Sequence, residues 1–308
     1  MAGLAFHRGD SSIIAGMPEP ESYSLDIQGD EFAILEWPGS GDPILLLHAT
    51  GFHSYCWNQV VKHLPGRHIY AVDLRFHGGS TNTGEVDWAL MAEDIEQLID
   101  RLELDNVIGV GHSIGGHLIA CAAAAKPGRF SHAVLIDPVI MPPEEYDQRG
   151  DALKELAPKD HPVSRRKNNW RDAEEMFNRF KDKFPFSSWQ TEVLRDYCDY
   201  ALTPHSEEDY LELACDPLNE AAIYLSSLGN RAVLTALPLV TTPVTLLRAR
   251  DSGGGGGDLS SSPTWPGLAQ ALPNCSEHYL PEMNHFIPMQ DPAMVAGHIL
   301  AACETHSD

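Results

Sequence analysis

The chain has 308 residues, enough for one large domain or two modest ones with a core that needs neither disulfides nor metal. Its 44 acidic side chains outnumber the 21 basic ones, and a formal charge of −23 repels phosphate backbones and anionic lipid surfaces, so neither nucleic acid nor a membrane is an expected partner. No apolar run approaches the ~18 residues of a membrane span. The N-terminal GLAF is too short, and too soon followed by His7, Arg8 and Asp10, for a signal peptide; the expectation is a soluble cytoplasmic protein. The six cysteines show no C-x-x-C spacing and read as buried free thiols.

Taken in order, Tyr23 to Gln28 and Phe32 to Trp37 alternate about Gly29-Asp30-Glu31, which predicts an antiparallel hairpin at a sheet edge. Ile44 to Leu47 is a continuous apolar run, as in a strand buried on both faces, and it delivers His48-Ala49-Thr50-Gly51-Phe52 at its C-terminal end, where such sheets bind ligands. Ile69 to Val72 is the next strand, followed by Asp73-Leu74-Arg75-Phe76-His77-Gly78-Gly79-Ser80. A charge at a strand end must be paired, so Asp73, Arg75 and His77 read as a buried polar network that fixes this loop. Leu90, Ile95, Leu98, Ile99 and Leu102 recur at helical spacing within Val86 to Leu104.

Asn106 to Ala125 organises the rest. An apolar, β-branched run ends at Gly111-His112-Ser113-Ile114-Gly115 and passes at once into an alanine-rich helical pattern, giving a strand, a sharp turn and a helix. The residue at the tip of such a turn is forced into strained backbone angles, and glycines two before and two after it let strand and helix pass without a side-chain clash. Ser113 would stand exposed at the C-terminal edge of the sheet. The helix behind it aims unpaired N–H groups and the positive end of its dipole at the same point, which favours an anion forming there. His112 should point away from the nucleophile.

This G-x-S-x-G elbow, with its strand and helix, resembles the α/β-hydrolase superfamily. The resemblance implies an α/β fold with a mostly parallel central sheet flanked by helices, and a helical cap inserted after the strand that ends near Asp137. It also places the oxyanion-hole donors at the N–H groups of Thr50 and Ile114. Ala49 stands where the family usually has glycine, which leaves Gly51 or Phe52 open as donors in place of Thr50. His48 orients the loop through hydrogen bonds.

Ala133 to Ile136 forms another buried strand, ending at Asp137-Pro138. From Met141 to Pro238 strands disappear, and helical, charge-rich segments interleave with aromatics from Trp170 to Tyr224; this resembles the cap. The expected division is residues 1–140 and 239–308 for the core and 141–238 for the cap. Most of the cap aromatics hold it together, and a minority facing inward would make an apolar pocket. Arg165, Arg166, Lys167 and Arg171 read as a solvated face.

Val244 to Leu247 resumes the buried-strand pattern, followed by Asp251, five glycines at 253 to 257, and Asp258. The resemblance places the triad acid in the loop after this strand, and Asp258 is preferred because a glycine run lets the loop bulge before returning an acid to the site. Asp251, and Asp137 on the preceding strand, are the alternatives. Glu277 to Leu280 is the last strand, and His285 follows it, ahead of a final helix from Asp291 to Cys303; this is where the family keeps its base, in the chain order Ser, acid, His.

The expected activity is hydrolysis of a carboxylic ester or related acyl bond of a small, largely apolar substrate, through an acyl-enzyme on Ser113, with no cofactor and no metal. H-E-x-x-H, G-x-G-x-x-G after a strand, and G-x-x-x-x-G-K-[ST] are all absent, which argues against zincin, dinucleotide and P-loop chemistry. The same Ser/His pair in relatives also serves carbon–carbon bond hydrolysis, lyase chemistry or cofactor-free oxygenation, and related scaffolds act as non-catalytic small-molecule receptors. Oligomeric state is not legible.

Overall fold

The computed structural model describes residues 19–154, 156–251 and 261–304. Strands β1 (Glu21–Ile27) and β2 (Asp30–Trp37) form the expected edge hairpin, turning at Gln28-Gly29. Strands β3 (Ser40–Leu47), β4 (Arg67–Val72), β5 (Val107–His112) and β6 (Phe130–Ile136) follow, and each ends in four to seven buried residues because helices cover both faces. Between β6 and the next sheet strand lies a helical segment that also carries a small hairpin, β7 (Leu202–Pro204) and β8 (Leu211–Leu213), extended by a bridge from Trp170 to Leu211. The sequence showed no strands there; three-residue strands are too short to leave an alternating pattern. Strands β9 (Val244–Ala249) and β10 (Cys275–Leu280) complete an eight-stranded sheet in the order β1-β2-β4-β3-β5-β6-β9-β10, parallel from β4 to β10 and antiparallel only at β1 and β2.

Two apolar layers sandwich the sheet. On one face, helices Trp88–Arg101 and Ile114–Ala125 bury Met91, Ile95, Leu98, Leu118 and Ile119 against Leu45, Leu47 and Leu135. The first of these helices starts at Asp87, whose side chain accepts the Ala89 N–H at the N-cap. On the other face, the helix Pro292–Glu304 lays Val295, Ala296 and Ile299 over Leu46, Ile108 and Val134. A third cluster joins Trp170, Phe177, Trp189 and Tyr197 of the segment after β6 to Phe52 and Phe286, which belong to loops at the C-terminal end of the sheet. The same segment also feeds Ile223, Leu228, Val233 and Leu237 into the first face of the core.

The six cysteines are free, buried or half-buried thiols. Among the described residues no helix is long and apolar enough to cross a membrane, and no three His, Cys, Asp or Glu side chains are grouped to hold a metal ion.

Candidate active site

The turn between β5 and the helix Ile114–Ala125 sets the geometry. Ser113 has φ 59° and ψ −118°, a conformation that costs an L-residue of order 1–3 kcal/mol, and the glycines around it explain how the turn closes. A Cβ on Gly111 would lie 2.2 Å from the Gly115 carbonyl oxygen, and one on Gly115 would lie 2.3 Å from the Leu47 oxygen. The turn therefore packs directly against the end of β3, where the His48 to Phe52 loop begins. Sheet hydrogen bonding fixes its depth, because the Ser113 N–H donates to the Ile136 carbonyl at 3.0 Å.

His285, in the loop after β10, presents Nε2 to Ser113 Oγ at 3.1 Å and Nδ1 to Asp137 Oδ2 at 2.7 Å. Asp137 is fully buried at the end of β6, with φ 43°. Its Oδ1 accepts from the Ala249 N–H at 2.9 Å, from Ser262 Oγ at 2.6 Å and, more distantly, from Thr264 Oγ1 at 3.3 Å. These donors replace water around a charge that would otherwise be too costly to bury.

The carboxylate facing the histidine is thus that of Asp137 on β6, one of the alternatives that the sequence offered beside Asp258. Asp251 turns outward to Arg248, with 51% of its side chain exposed, and has no contact with His285. Asp258 lies outside the described residues, and the Nδ1 position expected for it is filled by Asp137. The elbow and the final-strand loop are local patterns that a sequence displays, whereas the choice among three aspartates depends on which strand end lies beside His285.

The loop opposite the elbow is held by side chains whose tautomers are set by their partners. His48 Nε2 accepts the Leu74 N–H at 2.9 Å, so its Nδ1–H donates to the Ala49 carbonyl at 2.8 Å. His77 Nε2 accepts the Gly51 N–H at 3.0 Å, and its Nδ1–H donates to the Arg75 carbonyl. Asp73 accepts the N–H groups of Ser54 and Gly79 at 2.7 and 2.9 Å. Burial pushes His48 well below the usual histidine range and His77 down to about 4, so both rings act as neutral struts. Arg75 leaves this network and ties Asp94 to Asp30.

In this loop the Gly51 N–H is spent on His77 and the Phe52 N–H on the Ala49 carbonyl at 3.1 Å, which favours Thr50 among the three candidate oxyanion donors. Ile114 is the first residue of its helix, where an N–H has no intrahelical acceptor. His112 points away from Ser113: its Nε2–H donates to the His285 carbonyl at 2.8 Å, and burial pushes it down to about 3.

Two features were not legible in the sequence. Arg166, read as part of a solvated face, is instead turned inward, donating to Glu220 and, at 2.8 Å, to Tyr197 Oη. Glu220 in turn lies against Gly51, where a Cβ would meet its Oε1 at 2.6 Å, so the loop is gripped from the segment after β6 as well as from His77. The hydroxyls of Ser262 and Thr264 at Asp137 fall in a run that reads only as a loop.

A serine, a histidine and a carboxylate linked at the C-terminal edge of a mostly parallel eight-stranded sheet, with the serine on a strand–turn–helix elbow, define the α/β-hydrolase class of fold. The family model described as "Alpha/beta hydrolase family" matches residues 44–298, and the chain belongs to that family. It is similar to a monoglyceride lipase of Homo sapiens, 31% identical over 116 residues that cover 34% of this chain and 38% of that protein. An sn-1-specific diacylglycerol lipase of Danio rerio is 25% identical over 111 residues, 34% of each chain. The chain therefore spans about a third of the length of these curated relatives. Among solved structures, an E-2-(acetamidomethylene)succinate hydrolase matches with a TM-score of 0.72 at 22% identity, covering 92% of this chain and 98% of that one, a likeness of fold.

Proposed function

We propose that the protein is a serine hydrolase that cleaves a carboxylic ester, or a related acyl bond, of a small and largely apolar substrate. The observation that carries this reading is the unbroken hydrogen-bonded chain from Ser113 through His285 to Asp137. In this mechanism His285 Nε2 removes the Ser113 proton as Oγ attacks the carbonyl, and Asp137 at Nδ1 holds the imidazole in the required tautomer and stabilises the imidazolium. The N–H groups of Thr50 and Ile114 receive the oxyanion; losing one such donor costs about 3 kcal/mol of transition-state stabilisation. His285 then returns its proton to the leaving alcohol and activates the water that cleaves the acyl-enzyme. The chemistry requires no cofactor.

The apolar substrate is argued from the walls. Phe52, in the oxyanion loop, packs 5.5 Å from Trp189 and 6.1 Å from Phe286, whose ring lies 5.6 Å from that of His285, so an aromatic cluster reaches the base. The lipase names of the partial relatives point the same way. The test is labelling by a fluorophosphonate together with turnover of p-nitrophenyl acetate and butyrate. Labelling of the wild type but not of Ser113→Ala, with ester turnover, is the expected result. Labelling without ester turnover would move the reaction to another bond, and no labelling at all would remove the activated serine from the account.

A further inference from the structure

The fully buried carboxylate of Asp137 must direct one oxygen at His285, yet a carboxylate is free to rotate about its last bond unless its other oxygen is held. Three donors surround Oδ1, and they are unequal. The Ala249 N–H at 2.9 Å belongs to β9 and comes with the sheet. Thr264 Oγ1 lies 3.3 Å away, but its one proton has a better acceptor in the Pro138 carbonyl at 2.7 Å. Ser262 Oγ lies 2.6 Å from Oδ1 and accepts the Thr264 N–H at 3.1 Å, so one lone pair is occupied and its proton is directed at the carboxylate. A hydrogen bond to an ionised acceptor is among the strong ones.

The backbone around Ser262 fixes where this hydroxyl sits. The Ser262 N–H donates to the Arg250 carbonyl at 2.9 Å, and the Trp265 N–H donates to the Ile140 carbonyl at 2.7 Å, tying the segment to the end of β9 on one side and to the chain beyond Asp137 on the other. Resting on the reading of Ser113, His285 and Asp137 as a triad, we propose that Ser262 is a positioning residue: its hydroxyl clamps Asp137 Oδ1 so that Oδ2 stays aimed at His285 Nδ1. The loop after β9 then serves the triad by supplying the donor that orients an acid from β6.

The test compares Ser262→Ala, Ser262→Cys and Ser262→Thr with the wild type, using ester kinetics, melting temperature and the downfield proton resonance of the His285 Nδ1–H. Ser262→Ala is expected to lower kcat about tenfold with KM changed less than about twofold, since the clamp acts on the acid and touches no substrate. The downfield resonance should broaden or move. Ser262→Thr keeps the hydroxyl and should restore kcat and the resonance. Ser262→Cys keeps the volume without a strong donor and should behave like alanine, which separates the hydrogen bond from packing if alanine proves unstable. Variants that lower only the melting temperature, with kcat and the resonance unchanged, would overturn the proposal. A wild type that neither reacts with a fluorophosphonate nor shows the downfield resonance would instead overturn the triad reading.

Discussion

Asp137 Oδ2 lies 2.7 Å from His285 Nδ1 although 148 positions separate them, and the contact is set by strand pairing. β5 and β6 are hydrogen-bonded neighbours with His112 opposite Ile136, so Ser113 and Asp137 emerge side by side from adjacent strand ends, and His285 drops between them. Replacing Asp137 with asparagine keeps an acceptor for Ala249 and Ser262 only by turning its N–H2 group, a donor, toward His285 Nδ1. We expect kcat for a p-nitrophenyl ester to fall about 10⁴-fold. Asp251→Asn should stay within a few-fold of wild type, since that side chain pairs with Arg248. Equal losses in both would return the acid to the loop after β9.

Ser113 holds strained angles for the sake of its position. Ser113→Ala and Ser113→Gly should both abolish ester turnover, as should His285→Ala, but glycine alone relieves the backbone. Chemical denaturation should find Ser113→Gly more stable than Ser113→Ala by about 1 kcal/mol. A reversed order would mean that the turn is unstrained.

Glycines at two places make opposite predictions. A methyl group at Gly115 meets the Leu47 backbone, which cannot move without displacing β3, so Gly115→Ala should cost about 3 kcal/mol or more. Gly297 is exposed within the helix Pro292–Glu304, with nothing near its missing side chain. Gly297→Ala should therefore stabilise by about 0.5–1 kcal/mol. Urea titrations of the two variants check both signs.

Acid should unfold the protein through its buried imidazoles. Burial pushes His77 and His117 down to about 4 and His112 down to about 3, with His48 also well below the usual range. In the unfolded chain these rings bind protons near pH 6.5, so between that value and about 4 the unfolded state holds more protons. Stability is fully present above about pH 7 and falls as pH drops, by up to about 1.4 kcal/mol per unit for each such histidine. Urea unfolding at pH 7, 6 and 5 measures the slope; a flat profile would mean that these rings are already charged in the folded protein.

Excising residues 141–238 tests whether the segment expected to form a cap is separable from the core. Ile223, Leu228, Val233 and Leu237 pack into the same core as Leu118 and Ile119, and the Ile223 carbonyl accepts the Trp88 indole N–H at 3.1 Å. We expect the shortened chain to be insoluble or to bind a hydrophobic dye, because the cut exposes the outer face of two core helices. A soluble product with native circular dichroism would show that the sheet and its helices stand alone.

The sheet strands, the elbow and the loop histidine were legible because each is encoded locally: Ile44 to Leu47 by continuous hydrophobicity, Ser113 by its glycines, His285 by its place before the last helix. Which aspartate faces His285 was not, since aspartates 137, 251 and 258 all follow strand-like runs, and it is the pairing of β5 with β6 that brings Asp137 beside Ser113. Arg166 was misread for a related reason. A cluster of four basic residues looks solvated in one dimension, and the partner that draws one member inside, Glu220, is 54 residues away. Charge pairs formed by tertiary contact leave no periodicity to find.

The hydrogen bond from the Ser262 N–H to the Arg250 carbonyl has a further use, because it holds together the two ends of the glycine-bearing stretch between them. With Arg250 and Ser262 already joined, sequence added between them can leave both anchors in place. Loop closure charges only about 0.6 kcal/mol for each doubling of length. A fluorescent or affinity module inserted between Arg250 and Ser262 would be tethered through Ser262 to Asp137, beside His285, and could report on what reaches them.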